Sequence, residues 1–273
     1  MGYKTILCHL ADDDGVEGRL RLAKALAARF GGAIEALHVT PPTVVPVGLA
    51  EGTAYIAAGI QEALQAAAAR TTERMKAVYR DVCEPVTVPS RWVHAEGDIA
   101  DALIAAARTA DLTLSALHAE SGLDALPASV VEQVILGAGG PVLLVPFGWA
   151  GTEVGRRVIV GWKGSRESAR AVHDALPFLT GAASVVVAGA GAEAPRGLDG
   201  IVALLGRHGA TARAELVADP AGPADALLQL ATAEGADLLV MGAYGRTRLR
   251  ELVLGGATRD ILRTATIPVL FSC

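Results

Sequence analysis

The chain contains one sequence unit written twice, and that duplication limits the folds open to it more than any other feature. The first half closes with "ADLTLSAL", then "VVEQVILGAGGPVLLVP"; the second closes with "ADLLVMGA", then "TRDILRTATIPVLF". In both, Ala-Asp-Leu leads into an apolar strand, then a helix, then a Pro-led final strand. The stretch 97–112, "GDIADALIAAARTADL", likewise matches 219–238, "DPAGPADALLQLATAEGADL". The junction falls near 146–155, "PFGWAGTEVG", which is short and Gly-rich, so the two halves should pack on each other.

Each unit reads as five strands alternating with helices. Strands are expected near 4–10, 33–39, 91–96, 111–116 and 142–146, and again near 156–162, 183–190, 212–217, 237–242 and 268–272. The intervening stretches "RLRLAKALAARF" and "ARAVHDALPFL" carry apolar residues at helical spacing. Continuous apolar strands such as "SVVVAG" and "DLLVMG" imply parallel strands covered on both faces. With right-handed crossovers, the expectation is an α/β chain of two tandem doubly wound, Rossmann-like domains. Each is a five-stranded parallel sheet flanked by helices, with ligand clefts at the carboxyl ends of the strands. The domains are placed at 1–148 and 154–273. The first carries an insertion at about 41–65 whose start is kept out of helix by Pro41, Pro42 and Pro46, and which feeds a long helix from Ala54. It could serve as a lid, as an interface arm or simply as a solvated insertion.

Composition removes several classes. Apolar residues make up 52% and charged residues 19%, enough for two sizeable cores, while a net charge of −5 argues against a nucleic-acid binder. Cys8, Cys83 and Cys273 form no CxxC pair and no disulfide framework. The opening "MGYKTILCHLADDD" lacks the apolar run of a signal peptide, and no run elsewhere reaches bilayer length, so a cytoplasmic protein without membrane contact is expected. There is no GxxxxGK[ST] and no GxSxG, and Ser165 and Ser168 lack an evident base.

The stretch 240–262, "VMGAYGRTRLRELVLGGATRDIL", concentrates the chemistry. Gly242 and Gly245 follow a strand that ends where ligands bind in such folds. Gly255 and Gly256 open the final helix, whose free amides and positive dipole end suit an anion. Thr258 offers a hydroxyl or a local cap, and Arg246, Arg248 and Arg250 either clamp phosphate or form a solvated charged face. On chemistry alone, a phosphate cradle and a glycine-punctuated turn both remain open.

The spacing of Gly242, Gly245 and Gly255 resembles the G-x2-G-x9-G-[ST] pattern of the universal stress protein family. "GWKGSRESARAVHDALPFL" resembles that family's first strand and helix, and "IPVLF" its last strand. With the first half read as a diverged copy, nearly the whole chain resembles a tandem universal stress protein. The resemblance implies a stress-response module whose second half binds ATP or a related adenine nucleotide, with little or no turnover beyond slow ATP hydrolysis. It implies phosphates lined by Gly242, Gly245, Gly255 and Thr258, with Mg2+ bridging them; Arg246 and Gly256 beside them, and Gly161 and Lys163 at the first-strand turn, complete the candidate site. It further implies pairing of the two halves through "PVLLVP" and "PVLFS", a homodimer of the tandem chain, and protein partners that the sequence does not name. Two positions depart from the pattern: Gly256 stands where Ser or Thr is usual, and Lys163 where Asp is usual and where a base's amino group needs an acceptor. In the first half, Ser115, Ala116 and Ala119 replace the loop glycines, so no nucleotide is expected there. A nucleotide-free dimeric scaffold is the alternative.

A different pattern also needs weighing. His9, His38, His94 and His118 each fall near the carboxyl end of a different first-half strand, where two or three could share a zinc ion. Against this stands the lack of any compact ligand spacing, which leaves packing and hydrogen bonding as their other role.

Overall fold

A computed structural model describes residues 2–42, 54–84, 87–117, 128–191, 195–218, 220–243 and 256–273. The first half runs β1 (Thr5–His9), α1 (Val16–Phe30), β2 (Ala33–Thr40), α2 (Ala54–Cys83), β3 (Ser90–Glu96), α3 (Ile99–Ala107), β4 (Leu112–Ala116), α4 (Ala128–Gly137) and β5 (Val142–Val145). The second runs β6 (Arg157–Gly161), α5 (Arg166–Leu179), β7 (Ser184–Ala190), α6 (Leu198–Arg207), β8 (Ala212–Val217), α7 (Pro223–Ala233), β9 (Leu238–Gly242), α8 (Gly256–Thr264) and β10 (Val269–Ser272). The insertion's helical part is the start of α2, which is 30 residues long against 10 for α6. Residues 43–53 lie outside the described residues.

The two parallel sheets are fused. The strand order is β3-β2-β1-β4-β5-β10-β9-β6-β7-β8, parallel throughout except at the seam. There β5 and β10 run antiparallel, with Leu143 opposite Leu270 and Val142 opposite Phe271, so the final strands of the halves pair as the resemblance implied. Successive strand residues feed opposite faces, as period-two geometry requires. Leu270 joins the core under α1, α2, α5 and α6, whereas Val269 and Phe271 join the core under α3, α4, α7 and α8. Both cores cross the seam, giving three layers of helix, sheet and helix.

The repeated Ala-Asp-Leu has a physical cause. The Asp111 carboxylate accepts the amides of Lys4 and Thr5 at 2.7 and 2.8 Å. Asp237 accepts those of Gly155, Arg156 and Arg157 at 2.8, 3.0 and 3.2 Å. Each acid thus satisfies donors at the start of its half's first strand, a charge-assisted clasp. Helix ends follow local chemistry as well. Asp98 caps α3 by accepting from the Asp101 amide, and Gly31 ends α1 in a left-handed turn at φ 60°. Beside the seam, Phe178 packs against Tyr3 and Phe30, and the Tyr3 hydroxyl donates to the Asp174 carbonyl at 2.6 Å.

Candidate functional site

In each half the strand order reverses between the first and fourth strands, which opens a crevice at their carboxyl ends. In the second half this crevice lies between β6 and β9, where Gly161 pairs with Met241, and the first turn of α8 follows beyond it in the chain. The residues Gly245, Arg246, Arg248, Arg250 and Gly255 lie outside the described residues. Gly242 and Gly256 flank that loop as the last residue of β9 and the first of α8.

These two glycines answer to different demands. A methyl group on Gly242 would sit 2.5 Å from the Ser168 amide nitrogen and 2.7 Å from the Glu167 carbonyl oxygen. Gly242 is therefore required by the close approach of the first turn of α5, a packing reason distinct from the ligand approach expected from sequence. Gly256 is exposed and helical, and the nearest atom to an added methyl there is Asp260 Oδ2 at 3.7 Å, so a side chain fits. Thr258, two residues on, is buried, which leaves main-chain amides as the accessible donors of this helix start.

The first-strand turn is tightly built. Ser165 caps α5 reciprocally with Ser168, which occupies the amides of both residues within the turn. Lys163 is exposed and makes no hydrogen bond or ion pair among the described residues. The neighbouring Trp162 turns inward and donates its indole N–H to the Arg196 carbonyl at 3.0 Å. Gly164, at φ 67°, passes under the same carbonyl, which would lie 2.7 Å from any added methyl. Pro195 packs in the same way on Gly189 near the end of β7. The segment 195–197 is thus stapled across the ends of β6 and β7, where the resemblance sets the adenine. Sequence reading missed this staple, whose one signal was the pairing of Gly164 and Gly189 with a downstream Pro-Arg-Gly. Gly161 serves packing too, with Leu227 Cδ1 3.1 Å from an added methyl.

The first-half crevice is filled with charge. Arg19, buried, holds the Asp13 carboxylate through both terminal nitrogens at 3.2 and 3.0 Å, and its Nε donates to the His9 carbonyl at 3.1 Å. Asp12 pairs with Arg74 and accepts from the Thr71 hydroxyl at 3.2 Å. A polyphosphate entering there would meet two carboxylates already committed to internal partners.

Three of the histidines weighed as zinc ligands have internal partners. Burial, with Arg19 and His38 nearby, holds the His9 imidazole down to about 3, and its Nδ1 lies 3.4 Å from the Ser115 hydroxyl. His38 Nδ1 donates to the Leu10 carbonyl at 3.0 Å, and burial lowers its pKa as well. His94 Nε2 bonds the Thr40 hydroxyl at 2.8 Å, and its ring stacks on that of His38 at 5.7 Å. Among the described residues no group of three His, Cys, Asp or Glu side chains is arranged to hold a metal ion; His118 lies outside them. No helix among the described residues is long and apolar enough to cross a membrane.

Comparison with known proteins points one way. The family model described as "Universal stress protein family" matches residues 2–146 and 155–272. "Universal stress protein MJ0577" of Methanocaldococcus jannaschii is 35% identical over 48 residues, which is 18% of this chain and 30% of that protein. "Universal stress protein Slr1230" of Synechocystis sp. is 56% identical over 34 residues, 12% of either chain. The matched stretches therefore span well under two thirds of either relative. A universal stress protein crystal structure from Archaeoglobus fulgidus superposes with a TM-score of 0.74 at 16% identity, covering 98% of this chain and 97% of that one. At that identity the likeness speaks for the fold.

Proposed function

The chain belongs to the universal stress protein family, and from that premise we propose that its second half binds ATP or a related adenine nucleotide in the β6–β9 crevice, as a stress-response module with little or no turnover. The observation that carries this reading is the frame around the glycine loop: β9 stops at Gly242 and α8 starts at Gly256, so the family's glycine spacing spans the gap between a strand end and a helix start. That geometry suits phosphate, because the first amides of a helix lack intrahelical acceptors and face its positive end.

In this reading Gly245, Arg246, Gly255 and Gly256 surround the phosphates, Gly242 ends the strand that leads into them, Thr258 contributes its main-chain amide, and Mg2+ bridges phosphate oxygens. Gly161 and Lys163 stand on the base side. With no carboxylate at position 163, Lys163 approaches the phosphates as a point charge instead of accepting from the base. The functional units are residues 1–148 and 154–273, with the nucleotide in the second. Two tandem chains pair into a homodimer in the cytoplasm, and the response passes to protein partners through ligand state.

The second reading, a nucleotide-free dimeric scaffold, is favoured by the Trp162–Arg196 staple beside the base position. One experiment separates the two: mass spectrometry of nucleotide released from the purified chain by denaturation, together with a melting curve in ATP and Mg2+. Saturation at about 100 times Kd should add roughly 2.7 kcal/mol of stability. No co-purified nucleotide and no shift at millimolar ATP would remove the nucleotide reading.

A further inference from the structure

The first half holds a second opening, away from the crevice between β1 and β4. It is an open groove where β2 and β3 end, walled on one side by the middle turns of α2, with a volume of about 800 Å3. That volume falls within the range of small-molecule sites. Among the described residues the second half's counterpart, α6, is too short to build the same wall.

The groove is long, and its lining is ordered along its length. One wall is α2 from Gln61 to Glu73, which spans about 18 Å at 1.5 Å per residue. The opposite wall is formed by the ends of β2 and β3. The two walls are tied together at one point: on α2 the Thr72 hydroxyl donates to the Ala68 carbonyl at 3.1 Å, which leaves the Thr40 hydroxyl of β2 to donate across to Thr72 at 3.3 Å and His94 Nε2 of β3 to donate to Thr40 at 2.8 Å. This relay spends each hydroxyl proton internally and makes the wall rigid. The charged lining groups are Glu73 and Glu96, and neither has an ion-pair partner among the described residues. The adjacent Arg74 is turned to Asp12. Among the described residues no Lys or Arg lines the groove, so its field repels phosphates and carboxylates and attracts cations.

We propose that this groove binds a linear aliphatic polyamine. One ammonium sits between Glu73 and Glu96, the methylene chain runs along Ala68 and Ala69, and a second ammonium is accepted by the amide oxygens of Gln61 and Gln65. The order of these residues along α2 matches the alternation of charge and methylene in such a ligand. The proposal stands apart from the nucleotide reading, since site, half and ligand charge all differ.

The test is calorimetric titration of the full chain with 1,8-diaminooctane, two ammoniums joined by an unbroken methylene chain, at low ionic strength. Saturable binding with one site per chain is expected. A Glu73→Gln, Glu96→Gln double variant should melt at the wild-type temperature without ligand, both carboxylates being exposed, yet bind the diamine at least about tenfold more weakly. Absence of saturable heat, equal affinity in the variant, or full displacement by Mg2+ at equal charge would each overturn the proposal. Binding that survives saturation with ATP would support it, whatever ATP itself does.

Discussion

Replacing Gly242 by Ala tests whether this motif glycine serves the fold or the ligand. The added methyl would meet the Ser168 amide nitrogen at 2.5 Å and the Glu167 carbonyl oxygen at 2.7 Å, both main-chain atoms of a capped helix turn. No rotamer change can relieve the contact, so α5 or the end of β9 must shift. Overpacking of this kind costs about 1–3 kcal/mol. With an unfolding entropy of about 2.1 cal/mol/K per residue over 273 residues, the melting temperature should fall by roughly 2–5 °C. The measurement is thermal unfolding of the nucleotide-free chain, followed by ATP titration. A variant that melts like the wild type while losing ATP binding would refute the packing argument and return Gly242 to the ligand.

Two further outcomes follow from other positions. Gly256→Ser restores the hydroxyl usual in the family at an open, helical site; if phosphates lie there, one hydrogen bond to a charged group should tighten ATP by about tenfold or more in a calorimetric titration, and unchanged affinity would place the phosphates elsewhere. His9→Gln should flatten the acid limb of stability: the folded chain resists protonating His9 until about pH 3 while the unfolded chain protonates it near 6.5, so stability is intact above pH 6.5 and is lost as pH falls through that window, by at most about 1.4 kcal/mol per unit. Denaturant titrations at neutral pH and near pH 4.5 that show equal losses in both proteins would contradict this.

The fold was legible because its signals are local. The strand read at 237–242 is Leu238–Gly242 in the structure, since an apolar run bounded by Asp237 and glycine admits little else. The seam between the two Pro-led final strands was legible only through the family resemblance, which implied their pairing. The reasons behind several residues were not, because they depend on contacts far along the chain. Nothing near Asp111 indicates that its carboxylate will hold the amides of Lys4 and Thr5. Gly242 looked like a ligand glycine because its contact, the start of α5, lies more than 70 residues earlier. The groove under α2 was invisible for the same reason: Glu73 and Glu96 come to line one groove only once a 30-residue helix is laid over the ends of β2 and β3.

The two halves agree where the fold needs them to and differ where it does not. Both keep the aspartate clasp, the Pro-led last strand and helices on each face, since losing any of these would strand main-chain donors or apolar surface. At the crevice the fold asks only that the space be filled or solvated, and there the halves part. The first packs Arg19 against Asp13; the second sets Gly242 on α5 and leaves Gly256 open. The first half then adds α2, and with it an acidic groove, while the second keeps a helix start suited to an anion. The seam between β5 and β10 joins these two differently built halves in one sheet.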